Sequence, residues 1–277
     1  MTNQRSVLIT GCSTGIGRVG AEILRQRGWR VFATARKPED VAKLKEAGFE
    51  SCQLDLDEVN SIRQGLAWVL ERSGGTLDGL FNNGAYGQPG AVEDITIETL
   101  RAQFETNVFG THELTRLAIP VMRQQGHGRI VQNSSVLGFV SLPYRGAYNA
   151  SKYALEGLSD TLRLELHGTG IHVSLIEPGP ITTRFRANAL AAFLKNVDTE
   201  NTVHKESYKR RIEERSKEGE TGRFSLPPEA VVKHLIHALE SPHPKASYYV
   251  TFPTYLFGYL KRVLPRKWLD RILMRAL

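Results

Sequence analysis

The sequence has only two cysteines, Cys12 and Cys52, among its 277 residues. Two cysteines cannot build the multi-disulfide framework of small secreted domains, and their spacing matches no paired-cysteine zinc motif. We therefore predict no metal site, and free thiols suit a reducing cytoplasm. The chain also has no run of about 18 apolar residues, so no membrane-spanning helix is expected. The N-terminal stretch MTNQRSVLITG shows no apolar signal core, which favours a cytoplasmic protein.

Acidic residues are scarce near the C-terminus, where positive charge accumulates. Residues 255–277 contain one acidic residue, Asp270, and six basic ones, so this segment carries +5 of the net charge of +7. The six are Lys261, Arg262, Arg266, Lys267, Arg271 and Arg275. The rest of the chain carries +2 and shows no basic stripe, which argues against nucleic acid as a partner.

Short apolar runs alternate with helical patterns along the chain. The runs predict strands at 6–10, 30–34, 51–54, 77–81, 129–134, 171–176 and 247–251. This alternation predicts an α/β fold of the Rossmann type, with a doubly wound, mainly parallel, seven-stranded sheet and helices on both faces. We expect a single catalytic domain over residues 1–253, followed by a basic amphipathic extension over 254–277.

A glycine-rich turn follows the first predicted strand and precedes a helical pattern. Its sequence is GCSTGIG over residues 11–17, with the spacing G-x-x-x-G-x-G. Glycines permit close backbone approach, and a helix N-terminus supplies unpaired N–H groups, so the turn suits the pyrophosphate of a dinucleotide. The predicted cofactor-binding residues here are Gly11, Ser13, Thr14, Gly15, Ile16 and Gly17.

The end of the second strand indicates which nicotinamide cofactor is used. Ala35 and Arg36 stand there, and the first acidic residue is Glu39. An acidic residue would bind the ribose hydroxyls of NAD, whereas an arginine accommodates the 2′-phosphate of NADP. The sequence therefore favours NADP(H), with Lys37 close by, although Arg36 could also be an ordinary surface charge.

Polar residues also follow the third and fourth strands. Asp55 and Leu56 are predicted to contact the cofactor, Asp55 by accepting a hydrogen bond from the adenine amino group. Capping of the next helix is an almost equal alternative for Asp55. Asn83 lies in a turn of small residues. The cofactor could rest against the backbone of this turn, or the turn could have no role in binding. Asn107 lies within a long helical pattern over 97–122, where a buried asparagine could hold a water or a backbone group.

The stretch 133–152 contains the residues best suited to chemistry. Tyr148 and Lys152 are four apart at the start of a helical pattern, so they share a helix face. At about 5 Å and an effective dielectric of about 20, the ammonium would favour the phenolate by about 3 kcal/mol. That attraction would lower the tyrosine pKa from about 10 to between about 7 and 8, as acid–base catalysis near neutral pH requires. Ser135 ends the preceding strand and could bind the same substrate oxygen. Alternatively, the pair is a solvated helix face and Ser135 caps backbone groups.

Together these residues resemble the short-chain dehydrogenase/reductase family over roughly residues 5 to 250. The motifs are TGCSTGIG (10–17), NNGA (82–85), Asn107, Ser135, YNASK (148–152) and PGPITT (178–183), in the order and spacing of that family. Segments such as ARKPEDV and ASKYALEG are also similar to bacterial YbbO-like oxidoreductases and to the branch with retinol and 17β-hydroxysteroid dehydrogenases.

The resemblance implies a role for each matching residue. Tyr148 would be the general acid–base, Ser135 would orient the substrate oxygen, and Lys152 would lower the tyrosine pKa and bind the nicotinamide ribose. Asn107 would help hold a proton-relay water. The segment after the sixth strand would contact the nicotinamide end of the cofactor through Pro178, Gly179, Ile181 and Thr182.

Two departures from the family pattern matter for the cofactor. The family usually has Asn-Asn-Ala-Gly where this chain has Gly84 and Ala85 in swapped order, and alanine adopts positive φ less readily. The turn is therefore expected to differ locally. Thr14 is neutral where NADP-dependent members often carry a basic residue, so Arg36, with Ser13 and Lys37, would have to hold the 2′-phosphate.

The expected function is NADPH-dependent reduction of the carbonyl of an apolar aldehyde or ketone, of a retinal-, steroid- or fatty-aldehyde-like kind. The alternatives are an NADP-dependent alcohol or hydroxysteroid dehydrogenase working oxidatively, and a non-catalytic NADP(H)-binding sensor. The sensor is disfavoured because it would not need the tyrosine, lysine, serine and asparagine together. A homodimer or homotetramer is the expected assembly.

Two segments leave their roles open. Residues 184–226 either close over the substrate, with Phe185, Leu190, Phe193 and Leu194 as apolar lining, or form a surface helix pair. The tail over 255–277 mixes aromatic and basic residues, so it could touch an anionic membrane peripherally, at its inner surface, or pack on the domain or on another subunit.

Overall fold

The structure is a computed structural model that describes residues 4–218 and 224–275. Its seven strands form one sheet in which every neighbouring pair is parallel. The strands are β1 (Ser6–Ile9), β2 (Arg30–Ala35), β3 (Glu50–Gln53), β4 (Gly79–Asn82), β5 (Gly128–Asn133), β6 (Ile171–Glu177) and β7 (Ser247–Tyr249). Their order is β3-β2-β1-β4-β5-β6-β7, which confirms the predicted doubly wound sheet.

Eleven helices are seen in the described residues. They are α1 (Gly15–Gln26), α2 (Pro38–Glu46), α3 (Val59–Ser73), α4 (Ile97–Phe104), α5 (Thr111–Gln125), α6 (Gly146–Glu165), α7 (Phe185–Asn196), α8 (Lys205–Glu218), α9 (Glu229–Glu240), α10 (Phe252–Val263) and α11 (Arg266–Leu273). Strand order reverses direction at β1, because β2 and β3 lie on one side of it and β4 to β7 on the other. The loops at the carboxyl ends of β1 and β4 diverge there, which is where ligands bind in such sheets.

The sheet separates two hydrophobic cores. In β1, Val7 and Ile9 point to the face covered by α1 and α9, while Leu8 points to the face covered by α3 and α5. All four residues of β1 are buried, as expected for a central parallel strand covered on both sides. The two cores fix the sheet, and so they fix the positions of the strand ends that carry the site.

The predicted long helix over 97–122 is interrupted. Helix α4 ends at Phe104, a π-helical stretch spans Glu105–Gly110, and α5 begins at Thr111. A wider π turn inserts an extra residue into a helix and often marks a functional position. Here it contains Asn107, which is 1% exposed.

Helices α10 and α11 pack against the segment that follows β5. Their inner sides share an apolar cluster with Val136, Leu137 and Val140. None of the helices within residues 4–218 and 224–275 has the length and mean hydropathy needed to cross a membrane.

Two helical glycines provide a test of this packing. A Cβ at Gly110 would lie 1.9 Å from the backbone oxygen of Leu56, whereas a Cβ at Gly157, in α6, would meet open space. Gly110→Ala should therefore lower the free energy of unfolding by about 1–3 kcal/mol, since backbone must move. The matched Gly157→Ala should raise it by about 0.5–1 kcal/mol through helix propensity. Urea unfolding midpoints measure both, and equal effects of the two substitutions would refute the close contact.

Candidate active site

The glycine turn after β1 is held by the loop after β4. The Asn83 side-chain amide donates to the carbonyl oxygens of Thr10 (2.9 Å) and Gly11 (3.2 Å). The Thr10 hydroxyl in turn accepts from the backbone N–H groups of Asn83 (3.0 Å) and Gly84 (2.9 Å). The side chain of Asn83 is thus engaged with the turn itself, so any role it has toward a cofactor includes shaping that turn.

The turn fits a dinucleotide pyrophosphate. Gly11 and Gly15 have φ of 71° and 61°, where glycine is strongly favoured. A Cβ at Gly17 would lie 2.4 Å from the Gly11 carbonyl oxygen, so glycine is required for close packing of turn and helix. Ser13 and Thr14 are exposed, and α1 starts directly after Thr14, so Ile16 and its neighbours present the N–H groups of a helix N-terminus.

The swapped pair Gly84-Ala85 causes no backbone strain. Tyr144 and Phe224 are the non-glycine residues with positive φ among those described, so Ala85 avoids the conformation that alanine disfavours. A Cβ at Gly84 would lie 3.1 Å from a Leu56 methyl group, so any larger residue there would press on Leu56. The swap therefore introduces no strain at Ala85, and the expected local difference from the family's turn stays a prediction. Leu56 is buried beneath the turn.

The ends of β2 and β3 lie beside this turn. Arg36 is exposed directly after β2, and its carbonyl oxygen accepts from the Gln53 side chain at 3.0 Å. Its guanidinium is close enough to Tyr86 to oppose the rise in the Tyr86 pKa, to about 12, that burial and Asp57 cause. Asp55 accepts from the backbone N–H of Asp57 at 3.1 Å within the loop after β3. Helix α3 begins only at Val59, with Glu58 directly before it, so the alternative that Asp55 caps this helix is wrong.

The segment after β6 reaches both the glycine turn and the catalytic candidates. The Pro178 carbonyl oxygen accepts from the Val136 N–H at 2.8 Å and lies 3.5 Å from the Ser135 hydroxyl. A Cβ at Gly179 would lie 2.1 Å from the Thr251 hydroxyl, so the segment runs tightly over α10. Thr182 donates its N–H to the Leu226 carbonyl oxygen at 2.9 Å, and Ile181 beside it is buried.

Tyr148, Lys152 and Ser135 lie together at the carboxyl ends of β5 and β6. Both α6 residues are buried, and the Lys152 ammonium lies 5.8 Å from the centroid of the Tyr148 ring. The ammonium donates to the Asn133 carbonyl oxygen at 2.6 Å. Ser135 is 8% exposed, and its hydroxyl is close enough to Tyr148 to act on the Tyr148 pKa. The two hydroxyls therefore face one position, and the cation lies behind the ring.

Asn107 links the π-helical stretch to this group. Its side-chain oxygen accepts from the Tyr86 N–H (3.1 Å), and its side-chain nitrogen donates to the Tyr86 carbonyl oxygen (3.0 Å) and to the Ser151 hydroxyl (3.1 Å). Ser151 donates to the Tyr148 carbonyl oxygen at 2.8 Å. Asn107 is thus a buried asparagine that binds the backbone of Tyr86. Its predicted role of holding a proton-relay water stays a prediction.

The expected lowering of the Tyr148 pKa to between 7 and 8 is wrong for this structure. Burial raises the pKa of Tyr148 to about 12, and the nearby Ser135 hydroxyl only partly opposes this rise. Burial also lowers the pKa of Lys152 to about 8, with the charge of Glu156 opposing. The attraction of the Lys152 ammonium favours the phenolate, but the cost of removing a phenolate from water is larger and dominates the Tyr148 pKa here. At neutral pH, Tyr148 therefore keeps its proton and Lys152 is mostly an ammonium.

Sequence reasoning missed Glu156. It lies one helical turn beyond Lys152, and its carboxylate accepts from the Ser134 hydroxyl. Burial raises the pKa of Glu156 to about 7, and Ser134 opposes this. The spacing of Tyr148, Lys152 and Glu156, four residues apart each time on one helix, was the available signal.

The segment over 184–226 places one of its four predicted lining residues at Tyr148. The Phe185 ring lies 5.5 Å from the Tyr148 ring, and a Cβ at Gly87 would lie 2.9 Å from the Phe185 ring edge. Leu190 and Phe193 instead pack in a separate cluster with Tyr208, and Leu194 is exposed. Residues 219–223 of this segment lie outside the described residues.

Comparison with known proteins agrees with this geometry. A sequence model of the family described as short chain dehydrogenase matches residues 5–192. The chain is 44% identical over 270 residues to an oxidoreductase of Escherichia coli K12, YbbO, of unassigned activity, covering 98% of this chain and 94% of that protein. An NADPH-dependent 3-dehydrocapnine reductase of Ornithobacterium rhinotracheale is 30% identical over 281 residues, covering 99% and 97%. Retinol dehydrogenase 8 of Bos taurus is 36% identical over 197 residues, covering 67% and 62%.

A solved structure gives the same result. The crystal structure of a short-chain dehydrogenase from Streptomyces avermitilis superposes with a TM-score of 0.78 at 32% identity, covering 95% of this chain and 94% of that one. The glycine turn, the serine, and the tyrosine and lysine on one helix are thus found in a chain whose sequence and fold both match one family. The protein belongs to the short-chain dehydrogenase/reductase family and is an oxidoreductase of that family.

Proposed function

We propose that the protein is an NADPH-dependent oxidoreductase that reduces the carbonyl of an apolar aldehyde or ketone to an alcohol. The observation that carries this proposal is a buried Tyr148 beside the Ser135 hydroxyl, with the Lys152 ammonium 5.8 Å from the centroid of its ring. When bound, a reduced nicotinamide cofactor supplies a hydride to the carbonyl carbon. The residues of this chain would position the carbonyl oxygen and deliver the proton that completes the alcohol.

The proton is the contribution of Tyr148. The Ser135 and Tyr148 hydroxyls would both donate to the carbonyl oxygen, where negative charge develops as the hydride arrives. Tyr148 would then pass its proton to that oxygen and become a phenolate. The Lys152 ammonium, held on the Asn133 carbonyl oxygen at 2.6 Å, would stabilise this phenolate. A tyrosine whose pKa is raised to about 12 carries the proton at neutral pH that the reductive step requires.

An apolar substrate is supported by the ring beside Tyr148. Phe185 is 36% exposed and lies against Gly87 and Tyr148, so its free surface borders the position that the two hydroxyls face. The bovine relative is a retinol dehydrogenase, and retinol is an apolar alcohol. The cofactor choice rests on Arg36 after β2, and the Ornithobacterium relative is an NADPH-dependent reductase.

The assembly and the cellular location stay predictions. A homodimer or homotetramer is supported by exposed apolar side chains on neighbouring helices, namely Phe109 before α5 and Leu158 and Leu164 on α6. Apolar residues exposed in this way are common at subunit interfaces.

Replacement of Tyr148 tests the proposed reaction. We expect wild-type protein to oxidise NADPH with at least one of a panel of medium-chain, aromatic, retinoid and steroid carbonyls. Tyr148→Phe should lower kcat by about 10²–10⁴-fold, because it removes the proton donor. NADPH binding, followed by fluorescence, should change little. Tyr153→Phe, an exposed tyrosine on the same helix, is the matched control. Turnover with none of the carbonyls, or full activity in Tyr148→Phe, would contradict the proposal.

The role of Arg36 is tested by cofactor preference. Arg36→Gln removes the guanidinium at the end of β2, and a charged hydrogen bond to a phosphate contributes about 1.5–3 kcal/mol. The Kd for NADPH should therefore rise by about 10–100-fold, while the Kd for NADH should stay within about twofold. Arg101→Gln, an exposed arginine on α4, serves as control. If both cofactors weaken equally, or neither does, Arg36 does not read the 2′-phosphate.

Glu156 should set the pH range of the reductive reaction. Lys152, whose pKa is about 8, must be charged to stabilise the phenolate, so kcat/KM should fall as pH rises through about 8. The Glu156 carboxylate favours the charged lysine, so Glu156→Gln should lower the Lys152 pKa and move this fall to lower pH. Glu165→Gln, an exposed carboxylate on the same helix, should leave the profile unchanged. Identical profiles for wild type and Glu156→Gln would remove Glu156 from this role.

A further inference from the structure

Helices α10 and α11 each have apolar side chains on two sides, one buried and one exposed. The inner side packs into the domain through residues that share one buried cluster with the segment after Ser135. These inner residues are Phe257, Leu260, Leu264, Leu269 and Leu273. Burying this side already accounts for the docking of both helices onto the domain.

The outer side of the two helices is also apolar, and it is exposed. We define the C-terminal apolar face as Phe252, Leu256, Tyr259 and Val263 of α10 with Trp268 and Ile272 of α11. The α10 residues are spaced i, i+4, i+7 and i+11, so they form one stripe along the helix. Tyr259 and Val263 are 69% and 71% exposed, and Trp268 is 61% exposed. A contiguous apolar stripe of this kind on a protein surface marks an interaction site.

Cations border this face. Arg266, Lys267 and Arg271 on α11 are exposed, and within the described residues none of the three forms an ion pair. Asp270 is the one acidic residue between 255 and 277, and the segment carries +5. The surface therefore combines aromatic and aliphatic side chains with a strong positive charge.

A cleft beside the face adds two further cations. It has a volume of about 440 Å³ and lies between β7 and α10. Lys245 and Arg262 line it, and Tyr255 and Tyr259 form its border with the apolar stripe. In an anionic bilayer, the charged headgroups lie outside the apolar acyl chains. Cations in a recess beside an exposed aromatic stripe would therefore meet the headgroups while the stripe contacts the acyl chains.

The positive charge of residues 255–277 distinguishes between the possible partners of the C-terminal apolar face. If a second copy of the chain covered this face symmetrically, two segments of +5 each would meet, and like charges repel across an interface. An anionic lipid bilayer offers the opposite charge together with an apolar interior. Tyr and Trp side chains are favoured at the membrane–water interface, where their rings can be half-buried.

We propose that the C-terminal apolar face docks onto the surface of an anionic lipid bilayer, with the bordering cations against the headgroups. The face adjoins the segment over 184–226, because the Phe252 ring lies 5.6 Å from that of Phe224. Docking would thus bring that segment toward a membrane in which apolar carbonyl compounds dissolve. This last consequence rests on the proposed function, but docking itself does not.

Vesicle binding of the full chain tests docking. Co-sedimentation would compare vesicles of pure phosphatidylcholine with vesicles containing about 30% phosphatidylglycerol, a lipid of the charge the cations require. We expect binding at least tenfold stronger to the anionic vesicles, weakened by salt. Trp268 is the exposed tryptophan of the described face, so its emission should shift to the blue on binding, and Trp268→Phe should remove most of that shift.

Two double variants separate the apolar and charged contributions. Tyr259→Ser with Val263→Ser, and Lys267→Gln with Arg271→Gln, should each weaken binding to anionic vesicles by at least tenfold. The matched control is Val59→Ser with Val203→Ser, two exposed apolar residues on other elements, which should bind as wild type. NADPH binding by each variant shows that it is folded and that its cofactor site is intact.

Two results would overturn the proposal. One is absence of binding to the anionic vesicles, or binding that neither double variant weakens. The other is a wild-type oligomer, seen by light scattering, that the Tyr259→Ser, Val263→Ser variant dissociates, because a second copy would then cover the face. Failure of carbonyl reduction with intact vesicle binding would affect only the proposed function.

Discussion

The burial of one lysine ammonium organises the active site. Lys152 donates to the Asn133 carbonyl oxygen at the end of β5, and the Asn133 side chain donates to Asn83 at 3.0 Å. Asn83 in turn holds the carbonyl oxygens of the glycine turn. A single series of hydrogen bonds therefore joins the catalytic helix to the predicted cofactor turn across three strands. A buried ammonium without these partners would cost several kcal/mol, so the arrangement is tightly constrained.

The same burial sets the ionisation states of Tyr148 and Lys152. Removing Tyr148 from water raises its pKa to about 12, so it holds the proton that a reduced carbonyl needs. Lys152, with a pKa lowered to about 8, remains charged at neutral pH and favours the phenolate that proton donation leaves behind. In the proposed reaction, the buried Tyr148 phenol thus donates the proton, and the buried Lys152 ammonium stabilises the phenolate that remains.

Much of this was predictable from sequence, and the failures have physical causes. The strand ends were predictable because apolar runs and turns are local signals, and Tyr148 and Lys152 share a face because helical spacing requires it. The π-helical stretch around Asn107 was missed because six residues form little more than one turn, which is too short to show a change of period in the sequence. The Tyr148 pKa was wrong because desolvation depends on tertiary burial. Leu190 and Phe193 were predicted to line the substrate site, but they pack in a cluster with Tyr208. Sequence spacing alone does not show which apolar residues face a site and which face a core.

The ionisation of Tyr148 tests the account most directly. The near-ultraviolet absorbance of tyrosinate, titrated in wild type and in Tyr148→Phe, isolates the contribution of this one phenol. We predict that the two titrations coincide up to about pH 10, the ordinary tyrosine value, because burial keeps Tyr148 protonated. A tyrosinate signal that appears between about pH 7 and 8 in wild type and is lost in Tyr148→Phe would contradict the account.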